Sequence, residues 1–162
     1  KNLGKANPDK AMEKAKKLES EKSSKMLAGV GQLYGSYGKK ENYAFFETAL
    51  KGKFLQGFDQ LSMMNSLTYY ISRQDFDLVN QSYDLYDYLN KEGGYYTQMF
   101  MPQNVEYVSS VLDAQMEEAK EELAAHEKNN DALYADQARK KIKSITDLKV
   151  KFNALVAEEG EK

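Results

Sequence analysis

Apolar residues recur every three or four positions along most of the chain, and the alternation typical of strands is almost absent. This pattern predicts an all-α fold. The first helix is predicted to run from Pro8, which follows an N-cap at Asn7, to Gly38. Its second half is rich in glycine, which lowers helix propensity by about 1 kcal/mol per residue relative to alanine. We therefore expect either a close approach by another backbone or a break near Gly29.

The same periodicity predicts four more helices, separated by short connections. Gly52 and Gly57 are weak points of the second helix, and a glycine pair at 93–94 ends the third. Residues 93–103 are predicted to form an unusually apolar loop between glycine and proline breakers, and residues 129–131 a turn. The predicted helices cover residues 41–72, residues 76–92, a segment from 102 or 104 to 128, and residues 132–158.

Short connections make consecutive helices antiparallel neighbours. The predicted architecture is therefore an elongated antiparallel helical bundle of about five helices. It forms a single all-helical domain over residues 1–158, with a disordered N-terminus over residues 1–7 and a frayed tail over residues 159–162.

The spacing of two tyrosines supports an alternative architecture. Tyr34 and Tyr70 lie 36 residues apart, close to the period of a tetratricopeptide repeat. The second copy is similar to such a repeat, but in the first copy Lys40 occupies a position that should be apolar. The alternative fold is a short helical-repeat, tetratricopeptide-like hairpin stack. The large residues that carry the resemblance in the second copy are Phe76, Val79, Tyr83 and Tyr86.

The net charge of −2 hides an asymmetry, because residues 1–53 carry +6, residues 54–119 carry −8 and residues 120–162 balance to zero. The acidic stretch is also the aromatic one, since 17 of the 19 Phe and Tyr residues lie between Tyr34 and Tyr107. Either the basic first third packs near the acidic middle of the same molecule, or one of these surfaces meets another chain.

Composition argues against most catalytic chemistry. The absence of cysteine excludes disulfides, thiolate metal sites and cysteine nucleophiles. No segment has the spacing of a nucleophile elbow, a phosphate-binding loop or a calcium loop. His126, the one histidine, shares a helix face with Glu118 and Glu122, but a solvated helix end explains this group better than a metal site. We predict that the protein is not an enzyme and has no catalytic residue, cofactor or metal.

Two further partner classes are disfavoured. The lysine-rich first helix is diluted by glutamates and has no arginine with which to read bases, so we predict no nucleic-acid binding. The uncharged runs Met26–Gly38 and Gly93–Val105 have 13 residues each, too few to span a bilayer. The chain starts at Lys1 and lacks cysteine, which is compatible with a processed, exported (periplasmic or extracellular) protein, although the sequence does not fix the compartment.

Tyrosine carries the remaining functional signal, with 12 in the chain. Tyrosine suits half-buried positions and is enriched at protein interfaces. Tyr88 falls off the apolar seam of its helix, and the apolar loop either folds back on the protein or presents a patch to a partner. The predicted partner-binding residues are Tyr88, Tyr95, Tyr96, Met99, Phe100 and Met101.

These observations favour a non-enzymatic structural or adaptor protein that acts through protein–protein contacts, including self-assembly as a subunit of a larger structure. One alternative is a ligand-binding helical bundle of the sensory or carrier type. A closed cavity among Phe54, Phe58, Tyr70, Tyr83 and Tyr107 would favour it. The other alternative is a helical-repeat module that binds a peptide.

Overall fold

A computed structural model describes residues 8–18 and 23–160, and these residues form eight α-helices, one 3₁₀ turn and no strand. The all-α prediction is confirmed, and the count of about five helices is wrong. The helices are α1 (Pro8–Leu18), α2 (Ser24–Tyr37), α3 (Tyr43–Lys51), α4 (Phe58–Ser72), α5 (Phe76–Glu92), α6 (Tyr95–Met99), α7 (Met101–Lys128) and α8 (Ala132–Gly160), with the 3₁₀ turn at Lys40–Asn42.

Both long helices predicted in the first half of the chain are interrupted. Ser23 has an extended backbone (φ −73°, ψ 131°) and precedes α2, so the predicted helix to Gly38 ends before it rather than near Gly29. The predicted helix over 41–72 is broken between α3 and α4, where Lys53 and Gly57 have φ of 59° and 50°. A helix does not accommodate positive φ, which explains why the weak points at glycine become breaks.

The prediction of a loop over residues 93–103 is wrong, because this segment forms α6 and the first turn of α7. Gly93 is the C-cap of α5, as predicted, whereas Gly94 and Pro102 lie at helix starts. Gly94 is the extended N-cap of α6 (φ −69°, ψ 176°). Pro102 occupies the first turn of α7, where a missing N–H leaves no helical bond unmade. The sequence shows the breakers but not that they flank helices.

The described residues divide into two compact units, which are called unit 1 (up to Asn104) and unit 2 (from Val105). The single-domain assignment of residues 1–158 stays a prediction. The predicted disordered residues 1–7 and the last residues of the predicted tail, 161–162, lie outside the described residues.

In unit 1, α2 and α4 approach each other closely. A Cβ at Gly35 would lie 3.1 Å from the carbonyl oxygen of Ser66, and one at Gly31 would lie 2.5 Å from Sδ of Met63. The close approach predicted from the glycine-rich half of the first helix is therefore confirmed. It brings an α2 surface without side chains against the backbone of α4.

Side-chain hydrogen bonds show that successive segments of unit 1 run in the same direction. Near the start of α2 and α4, Ser24 Oγ donates to Asp59 Oδ2 at 2.7 Å, and near their ends Arg73 Nε donates to Gly35 O at 2.8 Å. The next segment repeats the pattern, because Thr97 Oγ1 donates to Gln60 Oε1 at 2.6 Å and, farther along both segments, Asn104 Nδ2 donates to Asn65 Oδ1 at 3.0 Å. In each of these hydrogen bonds, the donor and acceptor residues are separated by 35 to 39 positions in the sequence.

The core of unit 1 is aromatic, with α3 and α5 supplying rings and hydroxyls to α2 and α4. Tyr34 of α2 packs edge-on against Phe45 at 5.1 Å between centroids, and Phe46 lies 5.0 Å from Tyr70 of α4. Tyr34, Phe46 and Tyr70 are fully buried. Aromatic rings of this size bury a large apolar area, which explains how short helices form a stable unit.

Unit 2 contains a helical hairpin that joins the later part of α7 to α8. Arg139 Nη2 donates to Glu127 Oε2 at 3.0 Å near the turn, and Lys149 Nζ donates to Asp113 Oδ1 at 2.5 Å farther from it. The sequence separation of the bonded residues grows from 12 near the turn to 36 farther away, so the two helices are antiparallel. Asn130, with φ of 59°, provides the left-handed residue of the turn, which confirms the turn predicted at 129–131.

Candidate functional site

Large apolar side chains lie exposed where α4 and α6 begin. Phe58 is 62% exposed, Tyr95 75% and Met99 46%. The Phe58 ring stacks on the half-buried Tyr96 ring at 4.0 Å between centroids, and Tyr95 packs edge-on against Tyr96 at 5.4 Å. We call Phe58, Tyr95, Tyr96 and Met99 the aromatic patch.

One glutamine side chain fixes the two helix starts that carry the patch. Gln60 Oε1 accepts hydrogen bonds from the backbone N–H of Gly94 at 2.7 Å and from Thr97 Oγ1 at 2.6 Å. Thr97 is buried and Gln60 half-buried, so the second bond is partly shielded from solvent. The left-handed turn at Gly57 makes Phe58 the first residue of α4. The stacked rings are therefore held by backbone and side-chain contacts before any partner binds.

The structure brings together three of the six predicted partner-binding residues, namely Tyr95, Tyr96 and Met99. Phe100 is half-buried, and Met101 is fully buried in the first turn of α7. Their assignment to a partner stays a prediction, but a buried Met101 presents no surface for one.

Tyr88, the sixth predicted residue, lies on α5 and is half-buried. The ammonium of Lys51 lies over its ring at 5.9 Å from the centroid, a cation–π arrangement. This contact satisfies the face of the Tyr88 ring within unit 1. We therefore leave Tyr88 out of the aromatic patch.

Phe58 was not among the predicted contact residues, because its position fits the apolar stripe of a continuous helix over 41–72. Gly57, directly before it, was the available signal: a helix that begins there has no preceding turn to cover its first side chain. The break between α3 and α4 thus converts an expected core residue into an exposed one.

The side chains proposed to enclose a ligand are dispersed between core and surface. Phe54 is 36% exposed, Phe58 62% and Tyr107 45%, whereas Tyr70 is fully buried and Tyr83 half-buried. Phe54 and Phe58, which the ligand-binding hypothesis places on the wall of a cavity, therefore face solvent.

His126 lies at the tip of the hairpin in unit 2. Its ring stacks on Tyr134 at 5.4 Å between centroids, and its Nδ1 lies 3.7 Å from Asp131 Oδ2. Glu118 and Glu122 are exposed on α7. Over the described residues, no three His, Asp or Glu side chains are placed to hold a metal ion.

Three buried tyrosines of unit 1 have raised pKa values. Burial raises the pKa of Tyr70 to about 12, with the carboxylate of Glu41 adding to the effect and Arg73 opposing it. Burial also raises the pKa of Tyr86, against a hydrogen bond with Thr68, and the pKa of Tyr43. These hydroxyls are neutral at physiological pH.

The hydroxyl of Tyr86 belongs to a buried hydrogen-bond network across three helices. It lies 2.6 Å from Thr68 Oγ1, which lies 2.5 Å from Asn104 Oδ1. Asn104 in turn donates to the carbonyl of Phe100 at 3.0 Å. These three buried side chains thus bond to one another and link α4, α5 and α7, a structural use of polar chemistry.

Two further findings do not concern a single site. Among the residues that the structure describes, no helix combines the length and the apolar character needed to cross a membrane. Comparison with protein-family models, with curated proteins and with solved structures finds no match for this chain.

Proposed function

We propose that this chain is a non-enzymatic adaptor or structural protein that acts through protein–protein contacts, with the aromatic patch as its contact surface. The observation that carries the proposal is the exposed Phe58–Tyr96 stack, with Tyr95 and Met99 beside it. Aromatic residues and methionine are enriched in the cores of protein interfaces. Contiguous exposed apolar side chains of this kind are typical of interaction sites.

Rigidity supports the same proposal. The two bonds to Gln60 Oε1 hold the starts of α4 and α6 together, and the rings of the patch pack against one another. A preformed surface loses little side-chain entropy when a partner binds, so more of the contact energy appears as affinity.

We also propose that unit 1 is a helical-repeat hairpin stack rather than part of an elongated antiparallel bundle. The same direction of α2 and α4, and the return of hydrogen-bond partners after 35 to 39 residues, support a stack of α-hairpins. Helices of an up-and-down bundle would instead pair with opposite directions. The resemblance to tetratricopeptide repeats, carried by Tyr34 and Tyr70, agrees with this arrangement.

Affinity capture tests the patch. The wild type and a Phe58→Ser/Tyr95→Ser variant are immobilised, and proteins retained from a lysate of the source organism are quantified by mass spectrometry. The matched control is Leu133→Ser/Tyr134→Ser, which changes two side chains of unit 2 that are 67% and 55% exposed.

We expect specific partners to be recovered about tenfold less with the patch variant, equivalent to about 1.4 kcal/mol, and unchanged with the control. Equal recovery by all three proteins would remove the patch from consideration. Circular dichroism confirms that each variant retains the helical content of the wild type.

A further inference from the structure

Three uncharged runs recur between α2 and the start of α7 with a nearly constant spacing. Met26–Gly38, Gln60–Ser72 and Gly93–Val105 have 13 residues each, and their first residues are 34 and 33 positions apart. Charged residues make up 30% of the chain, so 39 residues without one are a marked exception. The runs correspond to α2, to α4 and to α6 with the start of α7, the segments that follow one another in the same direction.

Each run buries one side and exposes the other. Tyr34 lies midway between the exposed residues Gln32 and Ser36, and Leu67 lies midway between the exposed residues Asn65 and Tyr69. Tyr34 and Leu67 are both fully buried. Because a residue two positions away lies on the opposite side of a helix, the exposed pairs face away from the core.

α2 packs against α4, and α4 is bonded to the start of α6. We call the exposed residues of the three uncharged runs the uncharged face, and it includes Gln32, Ser36, Asn65, Tyr69, Tyr95 and Met99. Surfaces that need only solubility carry mixed charges. Interface cores are instead depleted of charge and enriched in tyrosine and methionine. In antibody binding sites, serine and asparagine supply adaptable hydrogen bonds.

We infer that the uncharged face binds a second copy of this chain in a two-fold symmetric contact, an inference that rests on the proposed contact function and names its partner. In such a contact the same surface meets itself, so any unbalanced charge would face its like. A face without charged residues meets this condition. A partner with a charged surface would lose hydration there without gaining a counter-charge.

The packing inside unit 1 is an example of two uncharged runs in close contact. The inner side of one uncharged run meets the inner side of the next where Gly31 and Gly35 pack against Met63 and Ser66. Small and uncharged residues allow backbones to approach closely. The outer side of α2 offers similar residues, since Gly29 is exposed and would have no atom within 4 Å of a Cβ.

Light scattering coupled to gel filtration tests this inference on the full chain. The molar mass of the wild type is measured from about 1 µM to about 1 mM protein, at low and at high salt. Tyr69→Lys and Gln32→Glu each place a charge on the uncharged face, and both positions are exposed. Val150→Lys is the matched control, because Val150 is 64% exposed on α8 of unit 2.

We expect a wild-type dimer whose mass does not depend on salt, because no ion pair contributes to the contact. Each face variant should weaken the dimer about a hundredfold, since a two-fold contact contains the substitution twice. The control should remain dimeric. A wild type that stays monomeric overturns the inference, and so does a dimer that persists in both face variants or dissociates in salt.

Failure of this inference and failure of the proposed function are distinguishable. If the wild type is monomeric but the Phe58→Ser/Tyr95→Ser variant still captures fewer proteins, the inference of a second copy as partner is overturned and the proposed contact function is retained. If the chain dimerises through the uncharged face but the two serine substitutions do not change the recovery of captured proteins, the inference of a second copy as partner is supported. The proposal that the aromatic patch binds a different protein is then overturned.

Discussion

The two units of this protein differ most in how their charged residues are distributed. Unit 1 contains the three uncharged runs apart from Val105, the last residue of the third, whereas residues 105–162 hold 22 charged residues among 58. In unit 2, carboxylates pair with basic groups along the hairpin surface, as in the contacts of Arg139 with Glu127 and Asp136. Such exposed pairs contribute little to stability but keep a surface solvated. The difference agrees with the proposal that the contact surface lies on unit 1.

The two arginines of the chain illustrate the same difference. In unit 1, Arg73 donates to the backbone oxygens of Tyr34, Gly35 and Gly38 at the end of α2, where helix carbonyls lack a full set of helical partners. In unit 2, Arg139 bonds carboxylates on the surface, and its pKa is raised first by the hydrogen bond with Glu127. Arg73 therefore bonds backbone carbonyls at a helix end, whereas Arg139 bonds carboxylate side chains on a helix surface.

Alkaline pH should separate the units by the largest margin. Burial raises the pKa of Tyr70 to about 12, so above pH 10 the unfolded chain loses this proton while the folded chain retains it. The free energy of unfolding should therefore fall between pH 10 and pH 12, by about 1.4 kcal/mol per pH unit for each such tyrosine. Tyr43 and Tyr86 add to the loss, and all three belong to unit 1.

Urea unfolding at pH values from about 8 to about 12 measures this loss, and hydrogen exchange locates it. Amides of α2 and α4 should lose protection first. A free energy of unfolding that is constant from pH 10 to pH 12 would show that these hydroxyls ionise without disturbing the fold.

The close approach of α2 and α4 should be sensitive to added volume. Gly35→Leu places a side chain against the Ser66 carbonyl, a backbone group that cannot rotate away, so we expect a loss of about 1–3 kcal/mol in the free energy of unfolding. Gly29→Leu is the matched control, since its position is open, and it should gain up to about 1 kcal/mol from helix propensity.

Urea unfolding at a fixed protein concentration compares the two glycine variants, because dimerisation would make stability depend on concentration. Equal stability of both variants would mean that α2 and α4 are less tightly packed than the Gly35 contact indicates.

Two buried tyrosine hydroxyls should respond in opposite ways to removal. The hydroxyl of Tyr43 is buried without a hydrogen-bond partner among the described residues, so Tyr43→Phe should raise the free energy of unfolding by about 1 kcal/mol. Tyr86→Phe removes the contact with Thr68 and should lower it by a similar amount. Thermal unfolding at neutral pH measures both changes, and a loss in both variants would contradict the assignment for Tyr43.

The arginines provide the smallest and most specific comparison. Arg73→Met should lower the free energy of unfolding by about 1 kcal/mol, because three carbonyl contacts at the end of α2 are lost. The effect of Arg139→Met should be smaller and should disappear at high salt, since its partners are exposed carboxylates. Chemical unfolding at two salt concentrations measures both losses. A larger loss in the free energy of unfolding for Arg139→Met than for Arg73→Met would contradict this expectation.

Helical periodicity was sufficient to predict the fold class and the extent of α5, because this signal is local and repeats many times. It could not show where glycine ends a helix. Gly31 and Gly35 lie inside α2, whereas Gly57 and Gly94 lie at helix starts. The backbone angle and the neighbouring helix make that difference, and neither is encoded in the spacing of apolar residues.

Only part of the candidate site could be predicted from the sequence, again because apolar spacing does not show where a helix breaks. Tyr95, Tyr96 and Met99 stand out because they follow two glycines in an apolar segment, although a loop was expected there. Phe58 fitted a helical stripe, so its exposure depended on a break that the stripe does not reveal. The uncharged run Gln60–Ser72 was the further signal available, because its spacing from the other two runs matches the direction and stacking of unit 1.

The most direct test of the account asks whether the uncharged face is covered when copies of the chain meet. Because the chain has no cysteine, Ser36→Cys and Asn153→Cys each introduce one thiol at an exposed position, the first on the uncharged face and the second on α8. The rate of thiol modification is measured over about a hundredfold range of protein concentration. The account predicts that the thiol at position 36 becomes protected as concentration rises while the thiol at position 153 does not. Equal modification rates at position 36 across the whole range would contradict it.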